Sequence, residues 1–156
     1  MSSTCQIDDE LVEKIKQFRY AKHSSGNAAF VLRIDRKELK IVEDEVYDNI
    51  SIEELVEGIA FSAMPVAYHL SKVLGIELPE NNPRFIILSY ELKHDDGRTN
   101  FPLVFIYWSP YTARTEFNML YASAKTFLQE KINVIRGIDI KEPESLTDEL
   151  LRNELK

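Results

Sequence analysis

Hydrophobic residues near the amino terminus recur with the period of a helix. Leu11, Ile15 and Phe18 follow one another at spacings of four and three residues, so they line one side of a helix over about residues 8–22. Aspartates just before this stripe can accept hydrogen bonds from the free amides of the first turn. The chain is therefore expected to begin with an amphipathic helix.

Later stretches alternate between apolar and polar residues, or are apolar throughout, as β-strands do. The first two flank a polar turn at residues 35–38. The next two flank residues 94–98, His-Asp-Asp-Gly-Arg, in which Asp-Gly is a strong hairpin signal because glycine accepts the positive φ of such turns. The run at 101–108 is nearly all apolar, which is typical of a central strand buried on both faces. The predicted strands lie at 29–34, 39–46, 85–92, 101–108 and 134–140.

The longest predicted helix covers residues 115–131 and has two contrasting sides. Its core side carries Phe117, Leu120, Tyr121, Ala124, Phe127 and Leu128. The opposite side has one methionine among small residues: Met119, Ala122, Ser123 and Thr126. Lys125 and Gln129 lie at the edges of this side. Two interpretations stay open. Either this face inserts into an apolar groove on a partner, with the methionine as an adaptable anchor, or other elements of the same protein cover it.

Two more helices are predicted from capping residues. Ser51 and Glu54 have capping-box spacing, and Ser145 with Asp148 can start a last helix near the carboxyl terminus. The order αββ(α)ββαβα then predicts an α+β fold, a central mixed sheet flanked by helices on both faces. No repeat or Gly/Ser linker divides the chain, so residues 1–156 are expected to form one domain.

Composition and charge narrow the class of protein. The 156 residues are 44% hydrophobic and 29% charged, as in ordinary globular domains, and the net charge of −7 disfavours a general nucleic-acid binder. The single cysteine excludes an internal disulfide and fits a reducing compartment. The amino terminus lacks the basic start and apolar stretch of a secretory signal. A soluble, intracellular protein without a membrane partner is expected.

A search for catalytic chemistry finds no established motif. His23, His69 and His94 lie in different elements, and no metal site or cofactor is predicted. The acidic residues after His94 could suggest a metal ligand set, but the glycine that completes the turn favours a polar hairpin. Cys5 has no activating neighbours and is expected to be an inert thiol in a flexible terminus.

Basic residues suggest a second surface. Arg19, Lys22, Arg33 and Arg36 form either a solvated edge or a patch that attracts an acidic partner.

Two motifs point to a known family. The His-Asp-Asp-Gly-Arg turn at 94–98, together with Met119-x-Tyr-Ala-x-x-Lys125, resembles the glia maturation factors, a branch of the actin-depolymerising factor homology family. The turn is specific to that branch, whereas the methionine motif is shared with the cofilins. Other matching segments include Pro83-Arg84-Phe85 and Leu146-Thr147. The resemblance covers almost the whole chain outside residues 59–76 and implies a single domain of that family.

The resemblance implies a binding protein and not an enzyme, acting as a monomer. Its partners would be the actin-related protein 2/3 complex at filament branch points and, weakly, an actin subunit of the daughter filament. It would dissociate branches and inhibit new nucleation. The alternative is a cofilin-like filament-severing protein, but Glu116, Phe117 and Asn118 stand where cofilins carry basic residues. A cytoplasmic location on the actin cytoskeleton, in cortical patches or other branched networks, is expected, with a nuclear pool left open.

The resemblance also assigns two sets of residues. The set for the barbed-end groove of actin-related protein 2 comprises Ser2, Ser3, Glu116, Met119, Ala122, Ser123, Lys125 and Thr126. The set facing actin comprises Arg19, Lys22, Asp95, Arg98 and Arg152. A phosphate on Ser2 or Ser3 would add charge at the groove and could act as a switch.

The apolar run at residues 59–76 has no counterpart in the family pattern, which would lead from Glu57 almost directly to Glu77. It is expected to be an insertion. Either it is a genuine segment, helical with Ala67, Leu70 and Leu74 on one side, or it is a translated intron or an error in the gene model. Comparison of the transcript with the genomic sequence decides between the two.

Overall fold

The computed structural model describes residues 5–20, 26–35, 37–63, 73–74, 83–109, 115–134, 136–142 and 145–155, with the backbone alone at 60–63 and 117. The strands are β1 (Gln6–Ile7), β2 (Asn27–Asp35), β3 (Lys40–Ile50), β4 (Arg84–Ser89), β5 (Leu92–Lys93), β6 (Thr99–Asn100), β7 (Leu103–Trp108) and β8 (Gly137–Ile140). The helices among these residues are α1 (Asp9–Tyr20), α2 (Ile52–Ala63), α3 (Thr115–Ile132) and α4 (Asp148–Leu155).

Six strands form one mixed sheet in the order β1-β3-β2-β4-β7-β8. The inner pairs β3-β2, β2-β4 and β4-β7 are antiparallel, while β1-β3 and β7-β8 are parallel. Strands β5 and β6 form a separate antiparallel hairpin. The predicted α+β class with a central mixed sheet is confirmed.

Alternating side chains of the central strands supply two cores, one on each face of the sheet. On the first face Phe85 and Phe105 pack with Ile15 of α1 and Leu128 of α3. On the other face the core includes Ile106 of β7 and residues of α2 and α4: Ile52, Leu55, Ile59, Leu151 and Leu155. Helices therefore cover both faces, and β7 is buried from both sides, as its apolar run predicts.

One of the two predicted helix caps is correct and the other is wrong. The Glu54 amide donates to Ser51 Oγ at 3.1 Å, so Ser51 caps α2. At α4 the Leu150 amide donates to Thr147 Oγ1 at 3.2 Å, so Thr147 is the cap in place of Ser145. Thr147 directly precedes the first helical residue, where a hydroxyl can reach the third amide of the helix.

The hairpin signal at residues 94–98 is confirmed. Gly97 has a φ of 93°, and the His94 amide donates to the Arg98 carbonyl at 2.8 Å to close the turn. The strand predicted over 85–92, however, leaves the main sheet after Ser89. The Glu91 amide then donates to the Asn27 side chain at 2.8 Å, and Leu92 starts the hairpin.

The amino-terminal segment around Cys5 is ordered where a flexible terminus was expected. Strand β1 pairs in parallel with the start of β3, and Cys5 lies in the first core with 2% of its surface exposed. Burial raises the pKa of the Cys5 thiol, which disfavours the reactive thiolate. The expectation of an inert thiol is consistent with this position, but the reason is burial and not the absence of activating neighbours.

The apolar run at 59–76 begins inside α2. Ile59 is completely buried in the second core, and α2 continues to Ala63. Val73 and Leu74 are helical and exposed, at 82% and 62%. The rest of the run lies outside the described residues, so the insertion at about 59–76 stays a prediction.

Tyr90 makes the stability of this fold sensitive to alkaline pH. Its hydroxyl donates to Asp148 Oδ1 at 2.7 Å. Burial, followed by the bond to Asp148 and its charge, raises the pKa of Tyr90 well above its usual range. The unfolded chain therefore loses this proton first, and stability is retained below about pH 10 and declines as the pH rises further.

We expect Tyr90→Phe to flatten this decline in urea unfolding followed from pH 8 to 11. An unchanged slope would contradict the assignment.

Candidate functional site

The side of α3 that faces away from the sheet is open. Met119 is 68% exposed, and Ala122, Ser123 and Thr126 are exposed as well. Tyr121, Ala124 and Leu128, on the opposite side, are buried in the first core. The interpretation in which the protein's own elements cover both sides of α3 is wrong for these residues. What remains is a surface of small side chains around one apolar anchor.

The end of strand β7 fixes the first turns of α3. Tyr107 Oη donates to the Asn118 carbonyl at 3.1 Å, and Ser109 Oγ donates to Asn118 Oδ1 at 3.0 Å. Burial is the main cause of the raised pKa of Tyr107, so its hydroxyl stays a protonated donor. Asn118 directly precedes Met119, so these bonds hold the helix at the position of its exposed anchor. Sequence periodicity did not identify Asn118 as a positioning residue.

A tyrosine on the core side of α3 ties the helix to the middle of the sheet. The buried Ile34 amide donates to Tyr121 Oη at 2.9 Å. Strand β2 pairs with β4 only as far as Leu32. The Tyr121 hydroxyl therefore accepts a hydrogen bond from an amide that lies beyond the β2-β4 pairing. The Tyr121 ring also packs on Phe85, with 5.2 Å between ring centroids. Tyr121 thus anchors α3, and with it the exposed face, to the sheet.

Lys125 is held at the edge of this face by two groups of the sheet. Its ammonium lies 2.6 Å from Asp139 Oδ1 on β8 and 5.5 Å from the centroid of the Tyr107 ring. The Lys125 side chain is only 28% exposed, whereas that of Asp139 is 55% exposed. Asp139 was missed by sequence reasoning because the two residues are 14 positions apart and meet only through the β7-β8 pairing.

The remaining residues of the first predicted set are Glu116, Ser2 and Ser3. Glu116 is exposed in the first turn of α3, where a carboxylate is favoured by the helix dipole. Ser2 and Ser3 lie outside the described residues. The structure therefore brings Glu116, Met119, Ala122, Ser123, Lys125 and Thr126 together on one helix.

Arg19, of the second predicted set, is engaged within the protein. Its Nη1 donates to the carbonyls of Ile132 at 3.0 Å and Asn133 at 2.6 Å, which closes the carboxyl end of α3. The idea that Arg19 joins Arg33 in one basic patch is wrong. Arg33 lies near the carboxyl end of β2, where its side chain pairs with Asp44 at 3.7 Å. Arg36 lies outside the described residues.

The other members of the second set lie at the same end of the sheet as Arg19. Asp95 and Arg98 are exposed in the hairpin that leads into β7, and Arg98 pairs locally with Asp96 at 2.6 Å. Arg152 is exposed on α4 beside a cleft of about 450 Å³ that also contacts Tyr90 and Lys93. Among the described residues, no hydrogen bond or ion pair joins one member of this set to another, and Lys22 lies outside the described residues. The members of this set therefore share a region of the surface but are not linked to one another by hydrogen bonds or ion pairs.

A comparison of Arg19 with Arg98 tests whether Arg19 stabilises the end of α3. We expect Arg19→Met to lower the free energy of unfolding by about 1 kcal/mol, because two carbonyls at the end of α3 lose a charged donor. Arg98→Met is the matched control and should stay within about 0.5 kcal/mol of wild type, since its ion pair is exposed. Urea unfolding measures both. Equal stability of the two variants would contradict the capping role.

Neither a metal centre nor a membrane-spanning helix is found among the described residues. Among them, no three histidine, cysteine, aspartate or glutamate side chains converge to hold a metal ion. None of the helices within the described ranges is both long and apolar enough to cross a membrane.

Comparison with known proteins defines the class first. Residues 4–156 match the family described as cofilin/tropomyosin-type actin-binding protein. The crystal structure of Streptomyces griseoflavus cofilin has the same fold, with a TM-score of 0.70 at 17% identity over 96% of each chain. Fold and sequence thus define an actin-binding domain of the cofilin type.

The comparisons also define the branch. The chain is 35% identical to glia maturation factor of Drosophila melanogaster over 152 residues, which cover 97% of this chain and 96% of the relative. It is 36% identical to human glia maturation factor beta over 151 residues, 97% and 92% of the two chains. The solution structure of glia maturation factor from Caenorhabditis elegans has a TM-score of 0.71 at 31% identity and covers 98% of each chain. The chain therefore belongs to the glia maturation factor branch of the actin-regulatory cofilin family.

Proposed function

We propose that this protein binds the actin-related protein 2/3 complex at filament branch junctions, dissociates branches and inhibits branched nucleation. The observation that carries the proposal is the exposed α3 face centred on Met119. An apolar, adaptable side chain among small residues suits insertion of a helix into a hydrophobic groove. The barbed-end groove of actin-related protein 2 is the proposed recipient of this face and of the amino-terminal residues around Ser2 and Ser3.

The positions of the two surfaces support action at a junction. The α3 face starts beside Ser109, after the end of β7, whereas the hairpin with Asp95 and Arg98 leads into the start of β7 at Leu103. Six strand residues separate these ends, about 17 Å at the usual rise. One domain can therefore contact two subunits at once. We assign the second surface to the first actin subunit of the daughter filament, so that binding weakens its contact with the branch.

The electrostatics of α3 favour this function over a cofilin-like severing activity. Glu116 is exposed in the first turn, where its negative charge opposes docking on an acidic filament surface. The protein acts by binding as a monomer, without a cofactor, on branched actin networks.

Imaging of single branches tests the proposal. Purified protein added to fluorescent branched filaments should shorten branch lifetime and should bind the isolated 2/3 complex, while it sediments little with unbranched filaments. Strong co-sedimentation with unbranched filaments would favour the cofilin-like alternative. Unchanged branch lifetime together with no binding to the complex would overturn the proposed function.

A further inference from the structure

Lys125 differs from a free surface lysine in the way it is held. Its ammonium contacts Asp139 at 2.6 Å and lies over the Tyr107 ring, so its side chain is only 28% exposed. Both contacts come from the neighbouring strands β7 and β8 of the main sheet. The position of the charge is therefore set by the sheet and not by α3 alone.

Holding a lysine in advance changes the cost of binding. A free lysine side chain loses rotamer freedom when a partner fixes it, and this loss opposes binding. An exposed ion pair contributes little to stability by itself. The arrangement is therefore better explained by an effect on a complex than by an effect on folding.

We infer that Asp139 is a positioning residue for partner binding: it holds Lys125 in the orientation in which the α3 face meets the groove of the complex. The inference rests on the proposed function. It assigns a role to a residue of β8 that lies outside the helix itself. Asp139 acts through Lys125, so its effect must vanish when Lys125 is removed.

A double-mutant cycle on the binding of the purified 2/3 complex tests this role. Asp139→Asn keeps the size of the side chain and removes its charge, and we expect about fivefold weaker binding. In a Lys125→Ala background the same substitution should have no further effect. Glu142→Gln is the matched control, because it removes an exposed negative charge nearby that is not paired with Lys125, and it should bind like wild type.

Lysine acetylation of the isolated protein supplies a readout without the partner. Lys125 should react more slowly than exposed Lys131, and Asp139→Asn should raise its rate toward that of Lys131.

The outcomes separate the inference from the proposed function. A wild-type protein that does not bind the complex overturns the proposed function, and the positioning role falls with it. Binding by the wild type with equal losses from Asp139→Asn in both backgrounds would show that Asp139 contacts the partner directly, which overturns the inference alone. Unchanged Lys125 reactivity in Asp139→Asn would also overturn it.

Discussion

We expect the Met119→Ala, Lys125→Ala double variant to bind the actin-related protein 2/3 complex about 100-fold more weakly than wild type. Met119 is 68% exposed and is the apolar anchor of the α3 face. In the proposed complex, Met119→Ala removes the side chain that enters the groove, and Lys125→Ala removes a cation at its edge. Few residues carry most of the energy of an interface, so two central substitutions suffice. The equilibrium affinity should fall, and branch lifetime should lengthen toward its value in the absence of the protein.

The control for this variant removes the same kinds of side chain elsewhere. Val46 on β3 is 50% exposed, and Lys131 is exposed in the last turn of α3. The Val46→Ala, Lys131→Ala variant should bind like wild type. Both double variants should keep the unfolding midpoint, because none of the four side chains is buried. A loss of binding by the control to the same degree would refute the assignment of the α3 face.

Substitution of Tyr121 is expected to have the largest effect on stability. Tyr121→Ala removes a ring that packs on Phe85 and should cost about 3–5 kcal/mol. Tyr121→Phe keeps the ring and leaves the buried Ile34 amide without its hydroxyl partner, at a cost of about 1–3 kcal/mol. Domains of this size are stable by about 5–15 kcal/mol, so the alanine variant loses a large share. Urea unfolding gives both values.

A tyrosine on the surface provides the comparison. Tyr20 at the end of α1 is 77% exposed, and Tyr20→Ala should change the free energy of unfolding by about 0.5 kcal/mol or less. If Tyr121→Phe were as stable as wild type, the hydrogen bond to Ile34 would contribute nothing. The support of α3 would then depend on ring packing alone.

Much of the fold could be predicted from local patterns. The stripe of Leu11 and Ile15 predicts α1, and both residues are buried. The Asp-Gly pair predicts the hairpin, because a positive φ at Gly97 is a local property. Strand β1 could not be predicted: two residues carry no period, and their pairing with the start of β3 depends on a partner more than 30 positions away.

The candidate site likewise combines features that local sequence patterns predict with features that depend on distant contacts. Helical periodicity shows which residues share a side of α3, and the His-Asp-Asp-Gly-Arg turn indicates the family. The folded chain was needed to show that the side with Met119 is open, that Arg19 closes the end of α3, and that Asp139 holds Lys125. The physical reason is that periodicity follows from the geometry of one helix or strand. What lies against a face depends on the order in which distant strands pair.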